Sequence, residues 1–431
     1  MNFYSTNNRH HLVSLPEAVI KGLASDQGLF MPEQIPQFPS SFFESLHDRS
    51  FQDIAFEVAK VFLEEQISHE ALRKIIGHTI SFDAPLVNIE KDIFSLELFH
   101  GPTLAFKDFG ARFMSQVLGH FAREQKREII ILVATSGDTG SAVANGFLGV
   151  PGTKVIVLYP SGKVSEIQEK QFTTLGQNIT ALEVNGTFDD CQRMVKQAFS
   201  DTELNKKLFL TSANSINIAR LIPQAFYYFY AWSRLPKKKR VVFSIPSGNF
   251  GNLTAGLLAK RMGLPIQHFI AATNSNDIVP NYLLTDEFTP RPSVSTISNA
   301  MDVGNPSNFA RMQDLFHHNH SAMKQEITGY SFTDGETRDA MKEVFRRFRY
   351  TLEPHGAVGY LGLKKYMAQH PECVGVFLET AHPAKFLEVV ESTLETSIPI
   401  PNELKSFLAR DKKTILCEAD FTAFKKILCR T

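Results

Sequence analysis

From about residue 93 the chain alternates between short unbroken apolar runs and segments whose apolar residues recur at helical spacing. The runs Ile93–Phe99, Glu128–Ala134, Val155–Tyr159, Ile179–Val184, Leu208–Thr211, Val241–Ile245, His268–Ala272 and Val374–Leu378 read as strands. Several are continuous Val, Ile and Leu, the pattern of strands covered on both faces of a parallel sheet. Residues 187–200, 218–233 and 252–262 between them carry amphipathic helices. This alternation predicts an α/β architecture with mainly parallel sheet.

The flanks read differently. Residues 1–92 form a helix-rich N-terminal unit with little strand signal. Pro16 sits at an early helical position, and helices are expected at about 50–64 and 69–77. Gly28–Pro32 and Ile35–Pro39 read as a proline-punctuated linker. Residues 93–395 are the α/β body, expected as two interleaved subdomains, and residues 396–431 a helical tail. Within the body, residues 280–325 carry Pro280, Pro290, Pro292 and Pro306 and read as an insertion or a mobile segment. Helices dominate from 335 to 370.

Composition narrows the class. A chain of 431 residues holds two or three domains. Lys+Arg and Asp+Glu both number 45, which gives no electrostatic reason for nucleic acid or an anionic membrane as partner. Cys191, Cys373, Cys417 and Cys429 are far apart and form no C-x-x-C pair, so a reduced protein without disulfides is expected. The first fifteen residues lack the pattern of a secretory signal, and no run approaches the ~18 apolar residues of a membrane span. A cytoplasmic protein is expected, monomer or homodimer.

Candidate chemistry begins at Lys107, in the stretch Leu98–Gly110 after the first apolar run. Phe106 and Phe109 flank it. Aromatic neighbours desolvate an amine, and a neutral amine attacks carbonyls. The alternative is a lysine snorkelling from a helix end. Four polar turns follow other strands. In Ser244–Asn252 a buried strand enters a turn with Gly248 and Gly251 and opens onto a helix. That is either an anion cradle of free N–H groups at a helix N-terminus or a plain tight turn. It is neither a P-loop nor G-x-G-x-x-G. Thr135–Ser141 supplies hydroxyls for a carboxylate or caps a helix. Asn214, Ser215 and Arg220 suit a phosphate or carboxylate, or begin a capped helix. Thr380 ends the last buried run, at the sheet edge where ligands of open α/β folds bind.

Other features carry less. His317-His318-Asn319-His320 has no acidic or Cys partner at ligand spacing and reads as a solvated helix end, with no metal expected. Pro236–Arg240 is basic but directly precedes a strand, and reads as a solvated connection. No HExxH, G-x-S-x-G or EF-hand pattern occurs. A lysine, a phosphate cradle and a hydroxyl at one sheet edge together describe a pyridoxal-phosphate site.

The same residues resemble the threonine synthase family of fold-type II pyridoxal-phosphate enzymes (tryptophan synthase β-like). Leu96–Phe109 resembles its cofactor-lysine motif. Ala134–Ser141, Asn214–Gln224, Pro246–Asn252, Asn299–Asn308 and Thr380–Phe386 resemble its other signatures, and Ser14–Pro32 its N-terminal domain. The resemblance implies that Lys107 carries pyridoxal 5′-phosphate. It implies that Gly248, Asn249, Phe250, Gly251 and Asn252 bind the cofactor phosphate and that Thr380 bonds the pyridine nitrogen. Ser136, Gly137, Asp138 and Thr139 would hold the substrate carboxylate or its surroundings. Asn214, Ser215 and Arg220 would bind the substrate phosphate. The implied reaction converts O-phospho-L-homoserine and water to L-threonine and phosphate, with Lys107 moving protons. The runner-up is a serine/threonine dehydratase, against which the phosphate-type cluster argues. The chain departs from the family at Asn7, where arginine often follows Ser-Thr, at Gly356, where Thr or Ala is common, and at Asp138, where related enzymes outside this subgroup have Asn.

Overall fold

A computed structural model describes residues 1–123, 128–236 and 240–430. In chain order its strands are β1 (Asn2–Ser5), β2 (Asn8–Ser14), β3 (Phe30–Pro32), β4 (Leu86–Glu90), β5 (Ile93–Glu97), β6 (Ile129–Ala134) and β7 (Thr153–Pro160). Then come β8 (Ile179–Asn185), β9 (Phe209–Ser212), β10 (Arg240–Pro246), β11 (Ile266–Thr273), β12 (Ile327–Ser331), β13 (Cys373–Glu379) and β14 (Ile415–Glu418).

Two parallel sheets dominate. One has the order β12-β11-β10-β13-β5-β4, and only its edge pair β4–β5 is antiparallel. The other has the order β14-β8-β7-β6-β9 and is parallel throughout. The chain starts the first sheet with β4 and β5, leaves to build the second, returns for β10–β13, and crosses again to add β14. Both sheets are covered by helices, so their central strands are buried on both faces. In β6, β10 and β13 at most one residue, Arg240, is exposed. Seven of the eight apolar runs anticipated such interior strands, because two-sided burial demands unbroken apolar sequence, and the eighth is the edge strand β9.

The remaining strands lie where that demand is absent. β1, β2 and β3 form a small antiparallel sheet inside the unit expected to hold little strand. β2 is largely exposed, and β3 has three residues. β4 belongs to the large sheet although it lies within residues 1–92. The tail expected to be helical holds helices Asn402–Leu408 and Phe421–Leu428, with β14 between them. As an edge strand with Leu416 turned to solvent, β14 shows no buried run.

The predicted helices appear as Phe51–Leu63, His69–Thr79, Phe188–Ser200, Ile218–Arg234 and Gly251–Arg261. The segment 280–325 contains three helices, Ile278–Thr285, Phe309–Leu315 and His320–Glu326, around an irregular stretch. His320 Nε2 pairs with the Tyr282 carbonyl at 3.0 Å, so that histidine ties two helices together. Of the basic run Pro236–Arg240, Lys237–Lys239 lie outside the described residues, and Arg240 starts β10.

Candidate active site

Five strands end around one cavity of about 570 Å³. β5 leads to Lys107, β6 to Thr135–Thr139, β9 to Asn214–Arg220, β10 to Ser247–Asn252, and β13 to Thr380. Parallel strands put their carboxyl ends on one side, so residues over 240 positions apart in sequence converge. Thirteen of the fourteen residues singled out from the sequence line the cavity. The exception is Gly137, with φ of 138°, which sits over the Gln168 side chain.

Lys107 is the first residue of helix Lys107–Ala122. Its approach is fixed by main-chain bonds to the end of β13, Phe106 N–H to Thr380 O at 2.8 Å and His382 N–H to Leu104 O at 3.0 Å. The side chain is 17% exposed, with Nζ 4.8 Å from the centre of the Phe106 ring. Burial pushes its pKa below the usual lysine range. Asp138 and Glu353 oppose that shift, while Lys385 and Arg220 add to it. Phe106 covers the amine as expected. Phe109 does not, because residues two apart on a helix point in different directions. Its ring packs instead with Phe51, Phe82 and Tyr227 in the core.

The glycine turn after β10 has the geometry of an anion cradle. Phe250 adopts φ of 59°, and helix Gly251–Arg261 starts directly behind it, presenting the N–H groups of Gly251 and Asn252, while that of Leu253 goes to Asn252 Oδ1 at 3.0 Å. Gly248 is needed for space. A Cβ there would lie 2.7 Å from Met301 Cα and 2.8 Å from Ala300 O. Asn252 turns its side chain inward, to Pro246 O at 2.9 Å and Ser247 Oγ at 2.8 Å. It shapes the turn and leaves only its main chain for a ligand. Asn249 Oδ1 accepts from Ser307 N–H at 2.9 Å, which fastens the turn to the stretch 299–308.

The Asp138 side chain lines the cavity beside Ser136 and Thr139 and is turned to neighbouring cations. Its Oδ1 accepts from Lys385 Nζ at 2.7 Å and from Gln168 Nε2 at 2.8 Å, and its Oδ2 lies 3.8 Å from Lys107 Nζ. Burial alone would raise its pKa, but Lys385, Lys107 and Gln168 hold it well below the usual carboxylate range. An ionised carboxylate repels another, so this side chain cannot hold a substrate carboxylate. The hydroxyls of Ser136 and Thr139 and the main-chain N–H groups of Asp138 and Thr139 remain for that, the Gly140 N–H being taken by Thr135 Oγ1 at 2.8 Å.

On the third wall, Asn214 Nδ2 donates to Ala134 O at 3.0 Å and Ser215 Oγ accepts from Asn308 Nδ2 at 3.3 Å. Arg220 is 3% exposed and lies against Gly110 of the Lys107 helix. Its Nη1 donates to Ala213 O, while Nε is buried without a hydrogen-bond partner. Burial lowers its pKa to about 10, opposed only weakly by Asp108.

Thr380 Oγ1 donates to Glu353 Oε1 at 3.2 Å. Glu353 also accepts from the N–H groups of His355 and Gly356 and pairs with His355 Nδ1. Beneath it Glu379 accepts from Glu353 N–H at 2.7 Å and has Oε2 unpartnered. Burial first, then Glu353, pushes the Glu379 pKa well above the carboxylate range. Sequence reading assigned no role to Glu353, His355, Gln168 or Lys385. Their signal was present only as buried polar residues inside apolar segments, whose partners are distant in sequence. Among the described residues no group of three or more His, Cys, Asp and Glu could hold a metal ion.

These residues fit pyridoxal phosphate: an amine driven toward neutrality, a glycine turn at a helix N-terminus and a strand-end hydroxyl. Fold and site define a pyridoxal-phosphate-dependent enzyme, and residues 77–378 match the family described as "Pyridoxal-phosphate dependent enzyme". Residues 2–80 match "Threonine synthase N terminus" and residues 356–428 "Threonine synthase, C-terminal". The chain belongs to the threonine synthase family. It is 45% identical to the threonine synthase of Escherichia coli over 430 residues, 99% of each chain. The crystal structure of threonine synthase from Escherichia coli superposes with a TM-score of 0.94 at 44% identity, covering 100% of both chains. A pyridoxal-phosphate-bound threonine synthase from Brucella melitensis superposes at 0.93 with 32% identity, covering 100% of this chain and 99% of that one.

Proposed function

We propose that this cavity converts O-phospho-L-homoserine and water to L-threonine and phosphate. The observation that carries the reading is that one cavity holds a desolvated Lys107, the glycine turn and, beside that turn, the polar side chains of Asn214, Ser215 and Arg220. Anion-type groups beyond the turn suit a phosphorylated substrate next to a phosphorylated cofactor.

In this reading the turn Gly248–Asn252 holds the cofactor phosphate through main-chain N–H groups, Lys107 carries the cofactor, and Thr380 meets the ring nitrogen. When bound, the cofactor supplies the electron sink for charge at the substrate carbon. Neutral Lys107 removes the proton at Cα and acts again at Cβ. Arg220, Asn214 and Ser215 hold the phosphate until it leaves from Cγ. A proton is added at Cγ as the carbon that becomes the methyl group, water adds its oxygen at Cβ and gives up a proton, and a proton returns to Cα. Ser136 and Thr139 hold the substrate carboxylate. Thr380 donates to Glu353 at 3.2 Å, and it would turn its hydroxyl hydrogen to the lone pair of the pyridine nitrogen when the cofactor is bound. A neutral hydroxyl there leaves the ring nitrogen unprotonated, which limits delocalisation into the ring.

The reading extends to three parts of the chain, 1–92, 93–395 and 396–431, and to a cytoplasmic monomer or homodimer. The free thiols of Cys191, Cys373, Cys417 and Cys429 support a reducing compartment, and no helix among the described residues is long and apolar enough to cross a membrane. The test follows phosphate and threonine together from purified protein and O-phospho-L-homoserine. Equal release of both is expected. Phosphate without threonine, or turnover of serine in its place, would overturn the reading.

A further inference from the structure

The site contains a second buried lysine. Lys385 lies in the single turn of 3-10 helix Pro383–Phe386 after β13. Its side chain is 0% exposed, and Nζ donates to Thr103 O at 2.8 Å and pairs with Asp138 Oδ1 at 2.7 Å. Thr103 belongs to the loop that delivers Lys107, and it is itself anchored by N–H and hydroxyl bonds to Asp108 at 2.9 and 2.7 Å. Lys385 therefore joins the end of β13, the Lys107 loop and the helix carrying Asp138. We propose that Lys385 is a positioning residue that holds the charge of Asp138 and so leaves the Lys107 amine uncharged.

The geometry ranks the two lysines. Asp138 is the carboxylate between them, and a buried anion sustains one buried cation far better than two. Lys385 has the short contact, two acceptors and no exposure. Lys107 stands 3.8 Å from the other oxygen, beyond hydrogen-bond reach, and is partly open to the cavity. Gln168 adds a 2.8 Å bond to the same Oδ1 that Lys385 uses, which turns Asp138 toward Lys385.

The other charged groups around Lys107 do not change the ranking. Arg220, from helix Ile218–Arg234, adds positive charge on one side and disfavours a second ammonium. Glu353, from the start of helix Pro354–Met367, is occupied by His355, Gly356 and Thr380. Asp108, on the helix of Lys107 itself, is occupied by Thr103. The directions agree: Lys107 is held below the usual lysine range and Asp138 below the usual carboxylate range.

The inference rests on Lys107 being the cofactor lysine, and the experiment separates the two. The full-length protein freed of cofactor is mixed with pyridoxal 5′-phosphate across a pH series, and the growth of the visible band of the lysine-bound cofactor is timed. The neutral Nζ forms the bond to the aldehyde carbon and one water leaves, so the rate follows the uncharged fraction of the amine. Lys385→Met is expected to slow the reaction at pH 7 about tenfold or more and to move the rate midpoint to higher pH, because Asp138 then bears on Lys107 alone. Asp138→Asn is expected to move the midpoint to lower pH, and Lys385→Arg to restore it toward the wild type. Opposite shifts in the first two variants support the inference. An unmoved midpoint in both, or shifts of the same sign, overturns it while leaving Lys107 as cofactor lysine. If Lys385→Met does not fold, Lys385→Gln, which can keep the bond to Thr103 O without the charge, takes its place in the same comparison. A wild-type band that persists in Lys107→Ala overturns both claims.

Discussion

Gly248→Ala is the sharpest test of how the cofactor turn is built. The added methyl would stand 2.7 Å from Met301 Cα, 2.8 Å from Ala300 O and 3.1 Å from Val303 Cγ2. Ordinary carbon contacts are ~3.5–4.0 Å, so the two segments must part by roughly 0.8 Å or more. Two of the three obstacles are main-chain atoms, which no rotamer change can move aside. Overpacking of this kind costs about 1–3 kcal/mol. The stretch 299–303 lines the cavity, and a bound phosphate fixes the turn from the other side, so the strain falls on the loaded state. Cofactor affinity is expected to fall roughly 5- to 140-fold, the equivalent of that energy. Gly77→Ala is the control. It lies in helix His69–Thr79 with nothing within 4 Å of the new Cβ, and is expected to stabilise by about 0.5–1 kcal/mol. Urea unfolding and fluorescence titration with pyridoxal phosphate read both variants. Unchanged affinity in Gly248→Ala, with stability equal to that of the wild type, would refute the close approach.

Three further outcomes follow from particular side chains. Phe109→Ala should cost about 3–5 kcal/mol of stability and leave the rate per folded molecule alone, whereas Phe106→Ala should leave stability nearly alone and lower kcat/KM about tenfold or more as water returns to the amine; denaturation and kinetics side by side would expose the reverse pattern. Glu379 has its folded pKa raised by burial, so the folded state keeps a proton that the unfolded chain releases near pH ~4.3; stability present below that value is lost as pH rises toward the folded midpoint. Glu379→Gln should flatten that slope in unfolding curves taken from pH 4 upward, and an unaltered slope would show the acid is not the cause. Arg311 is fully buried and donates to Phe30 O at 2.9 Å, Ile216 O at 2.7 Å and Asn308 Oδ1 at 2.8 Å. Arg311→Met should destabilise by about 3 kcal/mol or more, since each orphaned acceptor costs about 1–3 kcal/mol. It should also raise KM for the phosphorylated substrate more than it lowers kcat, because Asn308 steadies Ser215; a loss confined to kcat would contradict that link.

Sequence by itself determined what depends on near neighbours along the chain. Two-sided burial forces continuous Val, Ile and Leu, so seven interior strands were visible together with the edge strand β9, while β2 and β14, exposed or at an edge, were not. Glycine turns and hydroxyl-rich turns after those strands were visible too, because a strand-to-helix turn is a local object. So was the family, since its signatures are contiguous. Tertiary structure alone decided which charges meet. Asp138 and Lys385 are far apart in sequence and 2.7 Å apart in space, and that pairing turned a supposed carboxylate-binding residue into the counter-ion of a second lysine. It also decided which way each ring looks, sending Phe109 on the helix into the core while Phe106, just before the helix, covers Lys107. Hydrophobic periodicity records how deeply a residue is buried, which a chain can encode locally. The partner of a buried charge is set by how two sheets bring their carboxyl ends together, and no local pattern carries that.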